Sequence, residues 1–207
     1  MIDLNQNNFK ILLFTGFGST TEIFHNIAVN LKTDYPNTKF SIYCLGVHNK
    51  KFIEQQKSII YDEIYCSDEA RLNFWNKRYS ESLMDNFEKK YGSPFLTRLF
   101  YTDRRLVDYT HPELYDFSPN HDQILNVFQG TIIDAEKLLE GVSLILSYHT
   151  ASSESQILSK IADYRGIPFI TPIHGRISKF LNFQRSNADK HLVAEMGWDE
   201  LKNKKRK

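Results

Sequence analysis

Residues 9–20 read FKILLFTGFGST, and the fold follows from how this stretch is built. From Phe9 to Thr15 the chain is almost uninterruptedly apolar. A strand with one wet face would carry a polar residue at every second position. A strand buried on both faces of a parallel sheet would not. Gly16, Phe17 and Gly18 then make a turn, and Ser19 with Glu22 has the spacing of a capping box that opens a helix. Ile23, Ile27 and Leu31 recur at helical spacing, and Asp34, Tyr35, Pro36 and Asn37 end that helix. Lys39 to Leu45 (KFSIYCL) reads as a second strand, and Ile59 to Tyr65 includes a third. Strand, helix and strand at this spacing form a βαβ unit, whose crossover is right-handed in nearly all cases.

The alternation resumes near the other end. Ser118 and Pro119 supply an N-cap and a first-turn proline, followed by Ile124, Phe128, Ile132, Ala135 and Leu139 on one helical face, with Gly141 as the stop. Val142 to Tyr148 (VSLILSY) reads as another buried strand. The next helix runs from Ser152 to Arg165 and is terminated by Gly166 and Pro168. Ile167 to Thr171 is a last short strand. The expected fold is therefore an α/β domain with a doubly wound, mostly parallel sheet over residues 1–181. Residues 67–117 interrupt it with Tyr, Phe and charge. They include a helix around Glu81 to Tyr91 and read as a helical, aromatic insertion or lid. Residues 182–207 form an extension ending in the basic tail KNKKRK.

Composition narrows the function classes. A chain of 207 residues, 41% hydrophobic and 25% charged, suits one ordinary domain with a sizeable core. A net charge of +1 argues against a dedicated nucleic-acid binder. Cys44 and Cys66 form no CxxC motif and are expected to be free thiols in a reducing compartment. The polar start MIDLNQNNFK has no signal-peptide pattern, and no apolar run reaches the roughly 20 residues that span a bilayer. A cytoplasmic protein is the expectation.

Three loops could carry chemistry, because ligands of open α/β sheets gather outside the carboxyl ends of the strands. The first is the turn Gly16, Gly18, Ser19, where a helix N-terminus would favour an anion. It serves either as a ligand-contacting loop or as a tight turn that needs small residues. The dinucleotide fingerprint is incomplete, with Thr21 in place of the third glycine, and no Gly-Lys-Ser or Gly-Lys-Thr follows. The second loop holds His149, Ser152 and Ser153. His149 titrates near neutral pH and could act as acid, base or hydrogen-bond donor, whereas the serines read first as caps. The third holds His174 and Arg176, the arginine able to clamp an anion or to serve a structural ion pair. Asp103, Arg104 and Arg105 read as structural ionic wiring. The remaining histidines lack metal-ligand spacing, so neither a metal nor a cofactor is expected.

The order of pieces resembles a known family. Residues 91–106, YGSPFLTRLFYTDRRL, then a long helix, then residues 142–180, VSLILSYHTASSESQILSKIADYRGIPFITPIHGRISKF, are similar to the N-terminal domain of capsular and surface polysaccharide biosynthesis proteins. The pieces that carry the resemblance are Asp103-Arg104, Ser147 to Ser153, Arg165 to Pro168 and Pro172 to Ile177. It implies a Rossmann-like domain of the GT-B glycosyltransferase type, on the side that binds the sugar or glycoconjugate acceptor. The donor-binding half is absent from the pattern, which implies a separate donor-binding subunit, a truncated chain or lost transferase activity. In a transferase, Gly16, Gly18 and Ser19 would frame the cleft. His149 would be the base or orienting donor, and Arg176 would neutralise phosphate or an acidic sugar. Two other classes stay open: a non-catalytic glycan-binding or partner-docking domain, and a single-domain nucleotide-binding enzyme.

Overall fold

The computed structural model describes residues 9–16, 18–78, 80–93, 95, 99, 121–148, 152–174 and 181–184. Within them lie strands β1 (Lys10–Thr15), β2 (Lys39–Cys44), β3 (Glu63–Cys66), β4 (Leu144–Ser147), β5 (Phe169–His174) and β6 (Leu181–Gln184). They form one sheet in the order β3-β2-β1-β4-β5-β6. The first five are all parallel, and β6 lies antiparallel against β5 at the edge. The described helices are α1 (Ser19–Asp34), α2 (Val47–Gln55), α3 (Ser67–Phe74), α4 (Glu81–Tyr91), α5 (His121–Leu138) and α6 (Ser153–Arg165).

The pleat explains how the apolar run of β1 is used. Ile11 and Leu13 point to one face, where Phe40, Ile42 and Cys44 of β2 join Phe24 and Ala28 of α1 and Ile53 of α2. Leu12 and Phe14 point to the other face, where Tyr43, Ile145 and Phe169 meet α3, α4, α5 and α6. Both faces of the central strands are therefore dry, as the sequence run demands. Helices cover both sides, so the sheet is doubly wound, as expected from the sequence.

Several local readings are corrected. The N-cap of α1 is Gly18, at φ 59°, and no side chain caps the helix, so the Ser19–Glu22 box is not formed. Gly18 takes the cap one position before Ser19. Ile23 and Ile27 are 54% and 37% exposed, while Thr21, Phe24, His25 and Ala28 are buried. Helix α2 buries only Asn49 and Ile53, too thin a stripe to be legible in the sequence. Helix α3 and strand β6 are likewise not among the elements that the sequence leads one to expect.

Other boundaries move by a few residues. Glu81–Tyr91 is the helix expected there, and α6 ends at Gly166, in the left-handed region that residue favours. The expected N-terminus of α5 at Ser118 and Pro119 lies outside the described residues. Cys44 and Cys66, distant in sequence, are register partners on β2 and β3, both buried and unoxidised. Burial pushes the Cys44 thiol up to about 12 and raises that of Cys66. Among the described residues no helix is long and apolar enough to cross a membrane.

Candidate functional site at the carboxyl edge of the sheet

Strand order reverses between β1 and β4. The chain leaves β1 into α1 on one face and leaves β4 into α6 on the other. Such a switch point is where open α/β sheets collect ligands. Gly16, Gly18 and Ser19 lie on one side of it, Ser152 and Ser153 on the other, so the structure brings these candidates to one edge. His174 is the last residue of β5, with Leu181 of β6 as its register partner. His149 and Arg176 lie outside the described residues, as do Asp103, Arg104 and Arg105.

The β1–α1 turn is held from below. The Thr21 hydroxyl donates to the Gly16 carbonyl at 3.5 Å and accepts from Asn49 Nδ2 of α2. Thr21, which replaces the third glycine of the dinucleotide pattern, thus uses its side chain to tie the turn to two helices. From above, Tyr148 covers it. The Tyr148 backbone N–H donates to the Phe14 carbonyl at 3.0 Å, extending the β4–β1 ladder by one bond. Its ring lies 5.9 Å from that of Phe14 and touches both core layers, which places it over the end of the sheet. A Cβ on Gly16 would collide with the Tyr148 ring and hydroxyl. A side chain at position 16 would have to displace the tip of that ring.

The start of α6 is built around a carboxylate that sequence reasoning missed. Ser152 caps the helix, its Oγ accepting from the Ser155 N–H at 3.2 Å, while Ser155 Oγ donates to the Ser152 carbonyl at 2.8 Å. Glu154 is fully buried and accepts from Arg71 Nη2 at 2.5 Å, from Ser67 Oγ at 2.8 Å and from Ser153 Oγ at 3.3 Å. Ser67 and Arg71 belong to α3, which leaves β3. The ion pair therefore bolts together two helices that depart from different strands. A buried carboxylate engaged by three donors is fixed in place, a structural role and not that of a mobile catalytic group. Its partners on α3 are more than 80 residues away in sequence. The local run SSES signals only an acidic first turn.

Two further polar contacts complete the surroundings. Lys50 of α2 pairs with Glu69 of α3 at 2.7 Å, and Tyr65 donates to Asp134 of α5 at 2.7 Å. Among the described residues no group of three or more His, Cys, Asp or Glu side chains is placed to hold a metal ion. The buried His25 lies within α1, its Nδ1 2.8 Å from Tyr61 Oη and its Nε2 2.8 Å from Ser58 Oγ. Burial lowers its pKa, so it is neutral at physiological pH. It staples α1 to the connection between α2 and β3.

No model of a known family matches the chain, and no curated protein matches it. Strand order, parallel register and helices on both faces nevertheless agree: this is a Rossmann-like parallel α/β domain, with its switch point between β1 and β4.

Proposed function

We propose that this domain is the acceptor-side part of a GT-B-like sugar-transfer system in the synthesis of surface polysaccharide or glycoconjugates. Donor binding would come from a separate subunit or domain. The observation that carries this reading is the switch point. It gathers the Gly16–Ser19 turn and the Ser152–Ser153 helix start at one edge, where a ligand of an open α/β sheet sits. The order of motifs quoted above supports the sugar chemistry. In this reading His149, which follows β4 in the sequence, is base or orienting donor, and Arg176, which follows β5, is the anion clamp. A second reading, a non-catalytic glycan-binding domain, is favoured by one observation. Glu154, the buried carboxylate of that edge, is occupied with holding α3 to α6.

The test is calorimetric titration of the purified chain with oligosaccharides, sugar phosphates and nucleotide-sugars. A saccharide is expected to bind, and His149→Ala with Arg176→Ala is expected to weaken it by roughly tenfold or more, the loss of one or two charged hydrogen bonds. Tight binding of a nucleotide-sugar, or no effect of the two substitutions, sinks the acceptor reading. Glycan output that survives loss of His149 but not loss of binding selects the non-catalytic version.

A further inference from the structure

We propose that Tyr148 sets what the switch-point crevice accepts, its ring barring a diphosphate from the β1–α1 turn. This builds on the acceptor-side reading and narrows the ligand to one without a pyrophosphate group. A dinucleotide fold keeps glycine at this turn so that the backbone can approach pyrophosphate and the next helix can offer its N–H groups. Here that approach is already taken. A Cβ on Gly16 would meet Cζ, Cε2 and Oη of Tyr148, so the ring tip rests directly on the glycine backbone.

The ring is also anchored. Its backbone N–H is bonded to Phe14, its face packs on the Phe14 ring, and both core layers touch it. Displacing it would expose apolar surface in both core layers. Arg71 of α3 and Lys50 of α2 are paired with Glu154 and Glu69. A half-buried aromatic ring beside the turn instead offers apolar surface suited to the apolar face of a sugar ring.

Titration of the full chain with inorganic pyrophosphate and with UDP tests this. Wild type and Tyr148→Phe, which keeps the ring, are expected to show no saturable binding of either. Tyr148→Ala, checked for folding by circular dichroism, is expected to gain saturable pyrophosphate binding, because the helix N-terminus is then open. Should that variant fail to fold, Tyr148→Leu keeps apolar bulk on Phe14, vacates the ring tip and is read by the same two outcomes. Saturable pyrophosphate or UDP binding by wild type overturns the proposal, as does a folded, opened variant that binds no better than wild type. Failure of the acceptor reading shows separately, as no oligosaccharide binding by wild type whatever pyrophosphate does.

Discussion

His25 is 4% exposed, with Tyr61 at one ring nitrogen and Ser58 at the other. Both oxygens can accept, so protonation would break neither contact. What opposes the charge is loss of water, and Phe52 lying edge-on at 6.1 Å adds to the dry surroundings. The folded pKa is thus held below the ordinary value of 6.5, and the unfolded chain binds the proton more readily. Stability from this group is fully present above that ordinary value and is lost as the pH falls below it towards the depressed one. Urea midpoints measured between about pH 8 and pH 5 are expected to fall on the acid side, with His25→Gln flattening that slope. An unchanged slope in the variant would assign the effect to other groups. None of this was legible in the sequence, where His25 stands between Phe24 and Asn26 with no partner in view. Its partners lie 33 and 36 residues away.

At the scale of elements, the parallel strands and α6 could be read directly, because continuous apolar runs and terminal caps are local signals. The run of β1 reads as doubly buried from seven residues, and Ser152 and Gly166 mark the two ends of α6. The facing of α1 could not be read, since which of its residues are buried depends on how it packs against β1 and β2. Nor could the bond between α3 and α6 be read, since Arg71 and Glu154 meet only through the fold. That bond makes a distinct prediction. Glu154→Ala strands the Arg71 charge in a dry place and is expected to cost about 3–5 kcal/mol in denaturant unfolding. Arg71→Met with Glu154→Leu removes both charges and is expected to recover much of the loss, since apolar replacement of a buried pair is often neutral. A double variant no better than the single one would mean that the serines around Glu154, not the charge pair, dominate.

For the whole molecule, Cys44 and Cys66 report on opening. Both are buried, Cys66 on the edge strand β3 and Cys44 on its neighbour β2, and burial has pushed the Cys44 thiol up to about 12. Neither is expected to react with a thiol reagent in the native state, and labelling is expected to follow cooperative unfolding of β2 and β3, with the same denaturant dependence. Fast labelling of the folded chain would show that this edge opens on its own. The sequence by itself determined the class of this protein: a parallel α/β sheet covered on both faces, because strands buried on two sides and helices between them leave periodic marks in the chain. Only the tertiary structure decided what fills the switch point. The ring of Tyr148 meets Gly16 across 132 residues, and Glu154 meets Arg71 across 83, because close approach and charge pairing depend on which strands become neighbours.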